Sequence, residues 1–477
     1  MTQPGDPVSP GLPAPEPAGP VRRAVAFLGG SQLDDSEGDR GRVRDRRLLV
    51  AVVSSFGSQL VTAAVGIVSL PIALHYLGKA SFGLWAAVSS LVVWGSLLDL
   101  GISRGLVNAL SEAHGRDDRD AARSYLATAF FALLALAVVL GAIAAVVVPR
   151  VGWAELLGAT SVRESTVRNS VAAAIIVFLI GLPLGVVQHV YAAYQRLYVA
   201  NLFAVVSSLA GLVALAVAAA AGASLPVLIL ALGITGHIVT GANLMFALRR
   251  TLPWLALRWR AIDLRAWRRL RRSAVPLLCF QFGALLVNET QIIVLARRTN
   301  IGVVADYSVL MRLYLAISTV ISVGTLAFAP ALREAYERND VTWVRRGFAR
   351  MIVLRGTLTV CAGAFLVVAG DSMLRLWIGS SVRFPLSVWV TLAVLMAASV
   401  WVTAYSDLLT ALDHIWIQVV LVMVNGAVTL AATYALAPAH RILGVLIATS
   451  LTSVLLLSWL LPILTKRIVS QATVRPA

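Results

Sequence analysis

Apolar runs of about twenty residues, separated by short polar turns, fill the chain from residue 48 to 465. Most are apolar all round rather than along one stripe, which marks helices surrounded by lipid or by other helices. A bilayer crossing takes about 20 mostly apolar residues. On that measure twelve spans are expected, at 48–74, 83–109, 125–148, 170–194, 202–221, 226–248, 274–296, 303–330, 349–370, 386–410, 416–436 and 443–464. Several exceed the need and are expected to tilt. An even number of crossings returns both termini to the same side.

Charge orients this pattern. The stretch 249–273 carries Arg249, Arg250, Arg258, Arg260, Arg265, Arg268, Arg269, Arg271 and Arg272 against one acid, Asp263. Arginine resists translocation, so this stretch belongs on the cytoplasmic side. It divides the spans into 48–248 and 274–465, two six-helix bundles joined by a basic linker. Trp254, Leu255, Trp259, Leu264 and Trp267 suit an amphipathic helix in the headgroup layer. Such a segment is an anchored loop or, in a sharper reading, a docking site for anionic lipid. Residues 1–47 lack an apolar run and read as a disordered cytoplasmic tail, not a signal peptide, ending in Arg40, Arg42, Arg44, Arg46 and Arg47. Residues 466–477 read as a second cytoplasmic tail. The remaining loops keep the bias. Arg116, Arg119, Arg123, Arg196, Arg345, Arg346 and Arg350 fall on the expected inside; Lys79, Arg150, Arg163, Arg168 and Arg441 are among the fewer basic residues outside. Weak likeness between 193–198 and 411–416 hints at two parallel repeats.

Composition removes several classes. The 477 residues are 59% hydrophobic and 13% charged, with mean hydropathy +0.83. That leaves too little polar residue to cover a soluble core. The net charge of +17 could suggest a nucleic-acid partner. Span-end arginines explain it without one. Cys279 and Cys361 lie inside apolar spans, so no disulfide, metal site or cofactor is expected. Lys79 and Lys466 are the only lysines in an Arg-, Ala- and Val-rich chain, a composition suggestive of a GC-rich bacterium.

Short motifs recur in a recognisable order. Pro71-Ile72-Ala73-Leu74-His75-Tyr76-Leu77-Gly78 precedes Phe82-Gly83-Leu84-Trp85, and Leu98-Asp99-Leu100-Gly101 follows, with Arg104 and Asn108 beyond it. Ala329-Pro330-Ala331-Leu332-Arg333-Glu334 closes the eighth span, and Leu374-Arg375-Leu376-Trp377-Ile378-Gly379 follows the ninth. In this order they resemble the polysaccharide transporters, the Wzx-type flippases of the multidrug/oligosaccharidyl-lipid/polysaccharide exporter superfamily. The resemblance covers about 48–465. It implies an all-α, V-shaped pair of bundles with a central cavity. It also implies alternating access that moves an undecaprenyl-diphosphate-linked oligosaccharide from inner to outer leaflet of the bacterial cytoplasmic membrane, for cell-surface polysaccharide or lipopolysaccharide. Membrane lipids and the pathway's glycosyltransferases or polymerase would be its other partners.

Ionisable groups inside spans cost about 2.5–3.5 kcal/mol each, so each needs a partner or a purpose. Arginine suits a diphosphate because it stays charged and presents a fork of donors. Arg312, near the middle of the eighth span, is the first headgroup candidate, with Arg104 and Arg355 behind it. The competing role for Arg312 is a structural pair with Glu289 or Asp306; Arg104 and Arg355 could snorkel to the cytoplasmic face. Glu289, Asp99 and Asp407 are candidate ion-coupling carboxylates, or else structural counter-charges. Trp85, Trp94, Tyr307, Tyr314 and Tyr405 could stack on sugars or serve as interfacial belts. The serines and glycine at Ser54, Ser55, Gly57 and Ser58 suit close helix packing.

No catalytic constellation is found: there is no Walker loop, HExxH or Cys/His cluster. Two rivals stay open. A cation-coupled drug exporter of the same superfamily would want an acidic, aromatic site. A membrane glycosyltransferase or polymerase would want a long external loop, and the longest expected, 149–169, is short.

Overall fold

An unpaired backbone group in hydrocarbon costs several kcal/mol, so lipid-embedded chain closes its hydrogen bonds within helices. A computed structural model describes residues 38–99, 101–272, 275–323, 332, 340–379, 382–411 and 415–472, with side chains except at 38–52, 104, 271–277, 280, 323, 341, 411, 415 and 469–472. The chain divides into Met1–Ala51 and Val52–Ala477. In the first unit residues 38–51 are helical. The stretch 38–47, expected in the unstructured tail, is thus helical; arginine is a good helix former and no proline interrupts it. The rest of the expected tail lies outside the described residues.

Nine stretches of Val52–Ala477 are long and apolar enough to cross a membrane, counted among the described residues. The first, Val53–Asp99, is two helices, α1 (53–77) and α2 (79–95), parted at Gly78 (φ 71°, ψ 167°). Then come α3 (Ile102–Gly115), α4 (Arg119–Val147), α5 (Glu164–Leu184), α6 (Val186–Ala193), α7 (Leu197–Ala220) and α8 (Leu225–Phe246). The basic linker holds α9 (Leu264–Arg272). The second half contains α10 (Val275–Asn288), α11 (Thr290–Arg298), α12 (Ile301–Val323), α13 (Val341–Ile378) and α14 (Leu386–Ala411). The helical stretch Ile415–Thr452 is parted at Arg441 (φ 50°) into α15 (415–440) and α16 (442–452), and α17 (Ser458–Ala472) ends the described chain. Around Arg441 the chain doubles back: Thr429 and Thr452 hydroxyls meet at 2.6 Å, and a Cβ on Gly444 would press on the Leu436 carbonyl oxygen.

Treating the Gly78 and Arg441 stretches as two crossings each, and adding the α10–α11 pair, gives the expected twelve. Boundaries differ where polar chemistry interrupts a helix. The second span, expected unbroken over 83–109, ends at Gly95 and restarts at Ile102. The left-handed Gly101 (φ 72°) lies between, and its N–H goes to Asp99 Oδ1. The seventh is broken at Glu289, so neither part is span-length. Helix α17 runs to Ala472, into the expected tail.

One apolar core draws on both halves. It joins Leu74, Leu84 and Val171 to Leu295, Val304, Leu392 and Leu446, all at the end of the molecule that carries Gly78. At the opposite end the cores separate. One is confined to the first half and linker, around Leu106, Leu126, Tyr191 and Leu270. The others lie in the second half, around Met351 and Leu408, and around Leu409 and Leu461. The halves thus share one core at the Gly78 end; toward the other end their cores are separate, and they meet through Trp94 against Phe282 and the Gln281 Nε2–H bond to Ser96 Oγ.

Gly83 makes one of the closest of these contacts possible, since a Cβ there would collide with the carbonyl oxygen of Ile301 at the start of α12. Backbone atoms cannot move aside cheaply. Gly83→Ala should therefore lower thermal stability by the equivalent of about 1–3 kcal/mol. Gly57→Ala, with nothing near its Cβ, should leave it unchanged. Melting of the detergent-purified variants checks both; equal melting of the two would show that the halves are not flush at Gly83.

Candidate functional site

Helices α1 and α12 face one another across a cavity of about 310 Å³. Ser58, Gln59, Thr62, Ala63, Gly66 and Ile67 line it from α1; Arg312, Leu315, Ala316 and Thr319 line it from α12. These spacings, near i, i+4, i+8 and i, i+3, i+7, place one face of each helix on the cavity. Ile67 and Leu315 on its wall are 39% and 57% exposed, so the cavity is open rather than enclosed. Its volume equals that of about ten liquid waters, enough for a diphosphate but not for an oligosaccharide.

Arg312 dominates the cavity chemically. Gly66 leaves room for it: a Cβ there would lie 3.9 Å from Nη1. Among the described residues no carboxylate pairs with it. Asp306, one proposed partner, is held instead by Lys79 at 3.0 Å. Glu289, the other, sits at the α10–α11 break, without an ion pair among the described residues. An arginine in the middle of an apolar span is costly without a partner, and this one faces a cavity. Gln59, Thr62 and Thr319 add neutral polar groups to the wall.

The other candidates lie elsewhere. Arg355 is 5% exposed and bonds Asp407 at 2.8 Å between α13 and α14, next to a separate, mostly apolar cavity of about 200 Å³. One proposed headgroup arginine and one proposed coupling carboxylate thus pair with each other. Asp99 accepts the Gly101 N–H at the α2–α3 break. Arg104 lies on α3, but its side chain is outside the described residues. Tyr405 stacks against Phe348 and Trp401, Trp94 against Phe282 and Trp85 against Phe82. None of these rings lines the Arg312 cavity.

Sequence reasoning had assigned Ser54, Ser55, Gly57 and Ser58 together to packing. They divide: Ser54 and Ser55 accept hydrogen bonds from Asn201 of α7 at 3.0 and 2.8 Å, while Ser58 lines the cavity. Gln59, Thr62 and Thr319 had not been singled out. The helical repeat of Ser58, Thr62 and Gly66 along an otherwise apolar span was the signal that could have found this wall.

A family model described as "Polysaccharide biosynthesis protein" matches residues 48–336. A putative O-antigen transporter of Salmonella typhi is 34% identical over 98 residues, 20% of this chain and 22% of that protein, so the match spans under a quarter of the relative's length. Among solved structures, a multidrug resistance MATE family transporter of the MOP superfamily in its inward-facing conformation superposes with TM-score 0.70 at 15% identity, covering 88% of this chain and 96% of the other. The lipid II flippase MurJ, in an inward closed conformation, gives TM-score 0.69 at 10% identity, with 89% and 91% covered. These likenesses establish an all-helical polytopic membrane fold of the MATE and MurJ kind.

The Arg355–Asp407 pair yields a stability prediction. Removing one partner of a buried pair leaves a buried charge, at about 3–5 kcal/mol. Asp407 is 38% exposed, so Asp407→Asn should cost about 3 kcal/mol. The double variant Arg355→Met/Asp407→Leu should recover most of that in the same melting assay. Wild-type melting of Asp407→Asn would mean that Arg355 does not depend on it.

Proposed function

The chain belongs to the polysaccharide biosynthesis protein family, and from that premise we propose that it moves a lipid-linked oligosaccharide from the inner to the outer leaflet of the bacterial cytoplasmic membrane. The coarse reading, a membrane transporter for polysaccharide biosynthesis rather than an enzyme, rests on the family. The finer one rests chiefly on Arg312, a cation that meets no counter-charge among the described residues and faces an open cavity.

A polyprenyl-diphosphate glycan carries its charge at the diphosphate. Arg312 offers two forked donors where that charge must cross the apolar core. The low dielectric there strengthens the pairing relative to water. In this reading the hydrocarbon tail stays in lipid while the headgroup reaches Arg312, past the exposed apolar side chains of Ile67 and Leu315. The sugars then extend from the small Arg312 cavity into the space between the halves. Closure at the Gly78 end with separate cores at the other corresponds to one of two alternating states. With both termini cytoplasmic, as the arginine bias favours, that state faces inward. Glu289 keeps the coupling role in this reading, because Asp99 caps a helix break and Asp407 pairs with Arg355. Arg104 is an auxiliary contact for the headgroup nearer the cytoplasmic face, whereas Arg355, engaged by Asp407 beside a separate cavity, is not. An exporter of cationic drugs would need the opposite charge at position 312.

Arg312→Ala should cause complete lipid-linked oligosaccharide to accumulate in the inner leaflet and cut surface polymer more than tenfold. It should leave thermal stability equal or higher, since an unpartnered span arginine costs about 2.5–3.5 kcal/mol. Arg312→Lys, with charge but no fork, should fall between. Mass spectrometry of polyprenyl-diphosphate lipids with leaflet-specific labelling reads the first outcome. Normal lipid pools in a stably folded Arg312→Ala protein would remove Arg312 from the site. A normal pool in cells lacking the whole protein, with raised sensitivity to cationic dyes, would instead favour the exporter.

A further inference from the structure

Proline has no N–H, so Pro71 gives nothing to the carbonyl of Ile67, four residues earlier in α1. In hydrocarbon that carbonyl is costly unless another donor reaches it. The indole Nε1–H of Trp377, in the last turn of α13, donates to Ile67 O at 2.8 Å. Donor and acceptor belong to different halves of the molecule. In the same turn of α1, Ser69 Oγ donates to Gly66 O at 3.1 Å. Gly66 and Ile67 line the cavity wall opposite Arg312, with Gly66 against its Nη1. Two motifs thus meet in one hydrogen bond: the segment Pro71–Gly78 opens the gap in α1, and the segment Leu374–Gly379 fills it.

We propose that Trp377 is a positioning residue, whose indole caps the carbonyl freed by Pro71 only while the halves are closed at the Gly78 end. It thereby holds the closed state and fixes the α1 wall opposite Arg312. This rests on the alternating-access reading above. Opening at that end carries α13 away from α1, and the Ile67 carbonyl must then turn to water or to a polar group in the cavity. Opening is favoured when the cavity is hydrated or filled at that level and opposed when it is dry. Tryptophan suits the task because its single N–H is a donor only, carried on a ring large enough to reach between helices.

Spin labels test this without any cargo. In a Cys279→Ser/Cys361→Ser background, Ala221→Cys and Arg383→Cys put one label on each half; both sites are exposed and near the Gly78 end. Double electron–electron resonance in lipid nanodiscs then gives the ratio of long to short distances. Trp377→Phe should raise that ratio about fivefold, the equivalent of about 1 kcal/mol for one neutral hydrogen bond. Benzothienylalanine at 377, which keeps the indole shape without the N–H, should do the same. Pro71→Ala restores a backbone N–H for Ile67, so in that background Trp377→Phe should shift the ratio less than twofold. A purely structural tryptophan would not show this dependence on Pro71. Two distances that do not respond to Trp377, or respond equally with and without Pro71, overturn the proposal alone. A single distance in every variant overturns alternating access and the proposal with it.

Discussion

Inside a bilayer every backbone N–H and C=O must find its partner within the protein, because lipid offers none. That constraint makes the fold all-helical, and it also makes each helix break significant. Gly78 and Arg441 interrupt helices where the chain crosses to its next span. Asp99 fills an opened N–H at Gly101, and Trp377 fills an opened carbonyl at Ile67. Glu289 occupies the break between α10 and α11. Several polar groups that look out of place in an apolar sequence thus serve backbone groups that a helix no longer serves.

Arg312 is of another kind. Its guanidinium neither repairs a break nor meets a carboxylate among the described residues, although Lys79, Arg355 and Arg123 each do. The nearest expected acid, Asp306, lies about a turn and a half along the same helix. Lys79 has taken it to link the two halves. Arg312 is thereby left for the cavity, and Gly66 opposite leaves space where a larger residue would crowd it. The charge that links the halves at one end and the charge that faces the cavity come from the same helix, α12.

Much of this was legible before any coordinates. Span-length apolar runs pointed to an all-helical polytopic fold, because hydropathy is summed over many residues. Arg312 stood out because a lone charge in an apolar run is rare. Partner choice was not legible: Asp306 could serve Arg312 or Lys79, and only packing across 227 residues decides it. Nor was the division within 54–58, where Ser54 and Ser55 both bond Asn201 while Ser58 lines the cavity. The Trp377–Ile67 bond was beyond sequence reading altogether, since nothing in a proline says which distant donor will answer its missing N–H.

The energetics of the contact between halves follow from the solvent. In water, parting two apolar helix faces costs roughly 25 cal/mol per Å². In lipid that cost largely vanishes, because the separated faces meet hydrocarbon again; what remains is packing and hydrogen bonding. The broad shared core at the Gly78 end therefore stabilises closure far less than its area suggests. Its polar contacts carry more of the preference. Lys79–Asp306 is part-exposed, worth at most about 1 kcal/mol. Arg297 to the Leu156 carbonyl and Trp377 to the Ile67 carbonyl add about 0.5–1.5 kcal/mol each. Their sum is a few kcal/mol, the range in which two states interconvert and a ligand with differential affinity can choose between them. A broad apolar interface pinned by a few weak polar bonds is therefore suited to rocking, and the same interface in water would have locked.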